Sequence, residues 1–357
     1  MAFADEQLEA IIAAGATGVA VFAAGPQGQT ELAAGVADLR TGEPVTPSHR
    51  FRIASLTKIF VAALVLRLVA EGALELDAPA APFVEDVTVR QLLNHTSGLD
   101  DFVGDLLEFL EPWRRDASHR WELGAREELE LVLAKPRLFP PGEGWAYRGA
   151  NYIALKLVVE AATGGTLREA LRRHVFEPLG LRRTDLVEEP LRGDCARGYM
   201  PGDNPIHPGD GPVDFTECDF PFYRGGGGIV STPVETARLL RVLLGGEFLP
   251  ARLREEMLDA VESDWAETDR YGLGIGEISA VLGRERSPCG PAWGHLGFAV
   301  GYVAIALSSE DGMRQVVLCA NGQPATAPAV EALFDPVGRL LWHLYCGTTE
   351  TGERPRS

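Results

Sequence analysis

Cysteine is scarce in this chain: five residues of 357 (Cys195, Cys218, Cys289, Cys319 and Cys346), none in a Cys-x-x-Cys pair. They are too few and too scattered for a disulfide scaffold, and a chain of this length buries enough apolar surface to need none. None of the seven histidines stands four residues from another, so the zinc helix His-Glu-x-x-His is absent and no metal or cofactor is expected. No Gly-x-Ser-x-Gly elbow occurs, which excludes the α/β-hydrolase route to a reactive serine. The longest apolar stretch, Ile59 to Ala70, holds Arg67 and is too short to cross a bilayer. No basic residue precedes Arg40, so the sequence as written lacks the positive start of a secretory leader. The expectation is a protein not inserted in membranes, cytoplasmic as written or secreted if this is a processed mature form. Positive charge is also in deficit, with 33 Lys and Arg against 51 Asp and Glu and a net charge of −18. Such a surface repels phosphate backbones and anionic lipid, so no nucleic-acid partner and no membrane insertion are expected. The oligomeric state stays open.

What is present reads as an ordinary globular chain, 46% hydrophobic and 24% charged. Residues 17–24 and 30–37 are β-rich runs around the turn Gly25-Pro26-Gln27-Gly28, a hairpin signature. Arg50 to Ile53 is extended. From Ser55 apolar residues cover nearly the whole circumference of a helix that stops at Gly72, the pattern of a helix inside a protein. Val89 to Leu93, Arg126 to Leu133 and Tyr152 to Thr163 have helical spacing. Helices around 232–245 and 250–260 give way to β-like runs at 271–279, 298–307 and 314–320, and a helix at 327–345 closes the chain. The order predicts an α+β fold: an α/β sandwich from residues 1–72 and 230–357, with a mostly helical insert at 73–229.

Three segments carry chemistry. In Ser55-Leu56-Thr57-Lys58, serine and lysine stand three apart at the start of the buried helix and face the same way. Only Lys58, Lys135 and Lys156 are lysines, so placing one on the most apolar helix is a marked choice. Burial favours its neutral form, which suits a base that activates a hydroxyl; arginine cannot lose its proton. Read alone, Ser-x-x-Lys also fits a helix cap with a snorkelling lysine. Asn94-His95-Thr96-Ser97-Gly98-Leu99 reads as a turn after a helix, with His95 a packed or capping residue and not a catalyst. Trp293-Gly294-His295-Leu296-Gly297-Phe298 presents a polar side chain beside a glycine that lets a substrate backbone approach, although a strand glycine that relieves crowding reads equally well.

Taken together and in order, Ser-x-x-Lys at 55, Asn-His-Thr-Ser-Gly-Leu at 94, Pro-Gly-x-x-x-x-Tyr ending at Tyr147 and His-x-Gly at 295 resemble the serine β-lactamase-related and D-alanyl-D-alanine carboxypeptidase family. The resemblance runs from about Val19 to about Cys346. It implies a β-lactamase/transpeptidase-like fold, an antiparallel sheet flanked by helices, with the site in the cleft beside a helical lobe. It implies Ser55 as the acylated nucleophile, with Lys58 and Tyr147 sharing its proton, Tyr147 as phenolate or as relay. His295 would line the opposite wall, and the backbone N–H groups of Ser55 and Phe298 would form the oxyanion hole. A phenol acts as a base only where cations favour the phenolate, a field expected from Lys58 and His295.

The departures bear on substrate. The family's Tyr-x-Asn is here Tyr147-Arg148-Gly149, so the asparagine's role is vacant or moved to Asn151. Leu296 and Phe298 stand where peptide-carboxylate binders carry hydroxyls; an apolar wall there argues against a strict D,D-carboxypeptidase. Arg284 or Arg286 is a candidate carboxylate clamp, although either also reads as a solvated surface residue. Tyr-Arg-Gly-Gly-Gly-Gly at 223–228 lacks the Gly-Lys-Ser/Thr of a phosphate loop and reads as a close-packed approach to the cleft, with Gly297 and Arg224 candidate substrate contacts. Cys289 and Cys346 would be neighbours if the strand before His295 packs beside the last helix. The function the resemblance favours is hydrolysis of an amide, peptide or ester bond in a small-molecule or short-peptide substrate through an acyl-serine. The alternatives are a biosynthetic acyltransferase using the same intermediate and a non-catalytic penicillin-recognising sensor.

Overall fold

A computed structural model of the chain describes residues 2–103, 121–187, 191, 193–201, 211–218, 224–265, 268–281, 286–324 and 327–347. The N-terminal part runs α1 (Ala2–Ala13), β1 (Gly18–Gly25), β2 (Gly28–Asp38), β3 (Glu43–Pro44) and β4 (Phe51–Arg52). A 3-10 turn, Ala54–Leu56, then feeds α2 (Thr57–Ala70). The middle of the chain supplies β5 (Pro79–Ala80), β6 (Val84–Thr88), α3 (Val89–Leu93), α4 (Ala125–Leu133), α5 (Ala150–Thr163), α6 (Leu167–Leu171) and α7 (Glu177–Leu179). Four short strands follow: β7 (Asp185–Leu186), β8 (Tyr199–Met200), β9 (Val213–Asp214) and β10 (Ile229–Ser231). The C-terminal part is α8 (Pro233–Leu244), α9 (Ala251–Leu258), β11 (Val261–Glu262), β12 (Arg270–Tyr271), β13 (Gly276–Ile278), β14 (Ala292–Ala299), β15 (Tyr302–Ser308), β16 (Gln315–Asn321) and α10 (Ala327–Cys346).

The helix ends follow local chemistry. Thr88 and Gln91 close a reciprocal capping box on α3, and Thr232 caps α8 ahead of a proline in its first turn. α5 stops at Gly164, whose φ of +70° is the left-handed conformation that suits glycine.

Nine strands form one antiparallel sheet in the order β11-β12-β13-β14-β15-β16-β1-β2-β3. The seam between β16 and β1 joins the two ends of the chain, with Gly18 opposite Asn321 and Phe22 opposite Val317. Side chains alternate across this sheet as the pleat requires. Val19, Val21, Leu296, Val303, Ile305 and Leu318 pack on one face with Leu8 and Ile11 of α1 and Leu333, Leu340 and Leu341 of α10. Ala20, Phe22, Trp293, Tyr302, Ala304 and Val317 share the other face with α2 and α8. α2 is the shared wall: Leu93, Leu129, Leu155, Leu171 and Phe176 from the middle of the chain belong to the same apolar cluster. Its residues 57–66 are all buried. Each buried Leu, Ile, Val or Phe there contributes about 1.5–3 kcal/mol, which explains an apolar surface all round.

The α+β architecture and the first hairpin are as the sequence predicts; three details differ. α1 was not anticipated, although Ala4, Leu8 and Ile11 give it a buried helical stripe. The run at 271–279 is two strands, β12 and β13, parted by a turn at Gly274 with φ +76°. The run at 298–307 spans a hairpin, with β14 beginning at 292 and turning at Gly301, φ +81°. There any side chain would also press on the backbone of Gly198 and Tyr199.

Cys289 and Cys346 are joined in a disulfide that ties the approach to β14 to the end of α10, while Cys195, Cys218 and Cys319 are buried thiols outside any disulfide. Denatured without reductant, the protein is expected to take up three equivalents of a thiol reagent; after reduction it should take up five. Five in both conditions would show that the bond does not form.

Candidate active site

The turn before α2 is where the fold exposes a hydroxyl. Between Phe51 and Leu66 every residue is buried except Ser55. The preceding residue, Ala54, has φ +47°, a left-handed conformation that costs a non-glycine residue energy and is held by packing around it. Ser55 thus stands at the mouth of an otherwise closed apolar wall.

Lys58 lies one helical step further in and is 3% exposed, so the snorkelling alternative is excluded. Its Nζ is 3.2 Å from Ser55 Oγ and donates to the carbonyl of Gly226 at 3.1 Å. The same nitrogen lies 4.9 Å from the centre of the Tyr147 ring and 5.2 Å from that of Tyr152. Burial favours the uncharged amine and brings its pKa down to about 7; the carboxylate of Asp101 opposes the shift.

Tyr147 belongs to a loop that the segment 94–98 holds in place. Ala146 N donates to the His95 carbonyl and Arg148 N to His95 Nδ1, so His95 grips both neighbours of Tyr147. Gly142 N donates to Thr96 O, and Leu138 N to Gly98 O. His95 itself is fully buried, with φ +65°, and its Nδ1 also lies 2.8 Å from Asn151 Nδ2. Burial and the nearby cations hold it well below the usual imidazole pKa, so it stays a neutral acceptor. The packed reading of His95 describes its surroundings, but sequence reasoning missed its grip on Tyr147. Four aromatic rings surround it: Trp145, Tyr147, Tyr152 and Tyr271.

His295 enters from β14. It is fully buried; Nδ1 donates to the Leu296 carbonyl and Nε2 accepts from the Tyr271 hydroxyl at 2.9 Å. Burial, then the nearby Lys58, depress its pKa to about 3. It is therefore neutral, and the expected cationic field on Tyr147 does not come from it. Tyr147 instead stacks on Trp265, with ring centres 4.4 Å apart, and lies 5.8 Å from the His295 ring.

Several expectations need correction. Gly297 does not make room for a substrate: a β-carbon there would run into the Ile53 carbonyl and lie 3.1 Å from Ser55 N, so the glycine lets β14 close on the serine turn. Leu296 and Phe298 do not form an apolar cleft wall, because alternation sends both side chains to the other sheet face; Leu296 packs below α10 and Phe298 meets Phe334 edge-on at 5.6 Å. The argument against a carboxypeptidase drawn from them therefore falls. Asn151 does not take over the family asparagine's place, since its amide is fully buried between Ser97 Oγ and His95. Arg224 is spent on an ion pair with the fully buried Glu128. Arg286 is exposed, and Arg284 and Tyr223 lie outside the described residues. Trp265, Tyr271 and Tyr152 were not singled out, because no local pattern links them to Ser55; they reach the site only through the fold, whereas Gly226 belongs to the segment 223–228 read as a close-packed approach to the cleft.

Among the described residues no group of three or more His, Cys, Asp or Glu is placed to hold a metal, and no helix is long and apolar enough to cross a membrane.

Comparison with known proteins bears on this geometry. The family model described as Beta-lactamase matches residues 5–334. The chain belongs to the beta-lactamase family. Within it, this chain is 33% identical over 287 residues to Esterase EstB of Burkholderia gladioli, covering 70% of this chain and 71% of that one. It is 33% identical over 185 residues to a D-aminopeptidase of Brucella anthropi, covering 48% of this chain and about a third (34%) of that longer protein. The structure of D-amino acid amidase from Ochrobactrum anthropi SV3, complexed with D-phenylalanine, superposes with a TM-score of 0.81 at 28% identity, covering 95% of this chain and 97% of that one. The α+β architecture is accordingly the β-lactamase/transpeptidase-like fold.

A lysine that titrates near neutrality is measurable in a chain with three lysines. With lysine labelled at Cε, the resonance lost in Lys58→Ala is expected to titrate near pH 7. A Lys58 midpoint at the ordinary lysine value would show that water reaches the amine.

Proposed function

We propose that this beta-lactamase-family protein hydrolyses the amide bond of D-configured amino-acid amides or short peptides through an acyl-Ser55 intermediate. Its broader class is a serine hydrolase of amide or ester bonds. The observation that carries the mechanism is the buried amine of Lys58, 3.2 Å from the half-buried hydroxyl of Ser55. In the neutral form it takes the Ser55 proton as Oγ attacks the carbonyl. The oxyanion then lies between the backbone N–H groups of Ser55 and Phe298. Ala299 and Tyr302 close the two-residue hairpin, so ladder alternation turns the Phe298 N–H away from β15. Each such donor is worth about 3 kcal/mol in acyl-transfer enzymes.

Tyr147, packed beneath the amine, serves as the relay that returns the proton to the leaving nitrogen. His295 is a neutral strut that holds Tyr271, and it takes no proton. Water then deacylates Ser55 by the reverse path.

The amide reading is supported by the D-aminopeptidase and D-amino acid amidase relatives, the latter matching over nearly its whole length. An ester reading is also supported, by the 33% identity to an esterase across 70% of the chain. Acyl transfer and penicillin sensing are not favoured, since these relatives are named as hydrolases.

Ser55→Ala should abolish both turnover and covalent labelling, read by intact mass after exposure to an aryl ester. Lys58→Ala and Tyr147→Phe should each slow acylation about 10²–10⁴-fold. In the wild type kcat/KM should rise with pH through about 7, as Lys58 loses its proton. Full activity in Ser55→Ala removes the mechanism. D-phenylalanine amide, its L-enantiomer and p-nitrophenyl acetate separate the substrate readings: cleavage of the ester alone assigns an esterase, and equal rates on both amides remove the stereochemical claim.

A further inference from the structure

Lys58 is held by a backbone carbonyl, and that carbonyl is itself held. Gly226 O accepts from Nζ at 3.1 Å. A β-carbon on Gly226 would lie 3.0 Å from Nζ, and one on Gly225, φ +71°, would collide with the Tyr152 carbonyl. The strap 224–228 therefore presses bare backbone against α2 and α5. It is pinned downstream, where Ile229 N donates to Thr57 Oγ1 at 3.0 Å and Ile229 O accepts from Ile53 N. On the other side of Gly226, its N–H donates to Arg224 O, and Arg224 Nη1 pairs with Glu128 Oε1 of α4 at 3.1 Å. Glu128 has no exposed surface, and the same oxygen accepts from Trp121 Nε1 at 2.8 Å. A carboxylate buried this far is costly unless a cation meets it, so the pair cannot drift without penalty.

We propose that the Arg224–Glu128 ion pair is a positioning device for Lys58, fixing the strap so that Gly226 occupies one N–H of the amine and its lone pair stays turned to Ser55. This rests on the reading of Lys58 as the base. The groups facing the amine are the Tyr147 and Tyr152 rings, the neutral imidazoles of His95 and His295, and the carboxylate of Asp101. None of them reproduces the constraint from the strap. With the pair broken, the strap lifts, water reaches the amine and its lone pair loses direction.

The test uses the full-length protein with p-nitrophenyl acetate, reading the single-turnover acylation rate against pH, KM, and the thermal midpoint. Arg224→Gln and Glu128→Gln should each slow acylation about 10–100-fold with little change in KM, as expected of a misplaced reacting group. The acid limb should move upward from about pH 7, because regained solvation favours the ammonium. Arg224→Lys, which keeps the charge, should recover most of the rate. Arg197→Gln, which breaks the ion pair to Asp214, should lower the thermal midpoint and leave the pH profile alone. Should the glutamine variants fail to fold, Glu128→Asp, which draws the carboxylate away from Arg224, is read the same way. A wild-type rate and profile in the folded Arg224→Gln, Glu128→Gln or Glu128→Asp variant, with Lys58→Ala inactive, overturns the positioning role. An active Lys58→Ala overturns the base reading instead.

Discussion

The whole site depends on keeping one amine dry. Lysine in water is an ammonium and useless as a base near neutrality; the fold changes that by removing solvent, without relying on a neighbouring cation. Everything around Nζ serves this exclusion. Two aromatic rings lie against it, a strap of glycines brings backbone close where side chains would not fit, and α2 carries apolar groups on every side. Among the described residues, the carbonyl of Gly226 supplies the one hydrogen bond to the amine besides that to the serine itself.

The sheet contributes closeness more than chemistry. β14 reaches the serine turn because position 297 has no side chain, and this brings the next residue's N–H toward the place where charge is proposed to develop. His295 and Tyr271 form a neutral, fully buried link under that approach, so the edge of the cleft is stiffened by a hydrogen bond whose members do not ionise at ordinary pH. The segment His95–Gly98 does the corresponding work for Tyr147 from the opposite side. His95, which the sequence analysis reads as a packed residue, thus holds the Tyr147 loop, and His295, read there as a wall of the site, holds Tyr271.

How much of this the sequence reveals depends on the range of each interaction. Ser55 and Lys58 were legible because they lie one helical turn apart on a helix whose composition already says it is buried. Tyr147 was legible from its motif, but the cause of its placement was not, since His95 grips it across about fifty residues. The orientation of Leu296 and Phe298 was misread for a simpler reason. The strand was taken to start near 298 when it starts at 292, and the face on which each of its side chains lies follows from the strand's true extent. Trp265, Tyr271 and Glu128 carry no local signal at all; each reaches the site through sheet or helix packing from a remote part of the chain. The Cys289–Cys346 bond was an open possibility because two distant segments had first to be placed side by side.

The seam between β1 and β16 has a consequence for how the molecule comes into being. The serine turn is made early in synthesis, yet its floor is β14, and β14 is secured only when the last strands have docked on the first hairpin. The last strand ends about 260 residues after Lys58, so the β14 side of the serine turn is the part of the site that closes last, after the rings and the strap around the amine are made.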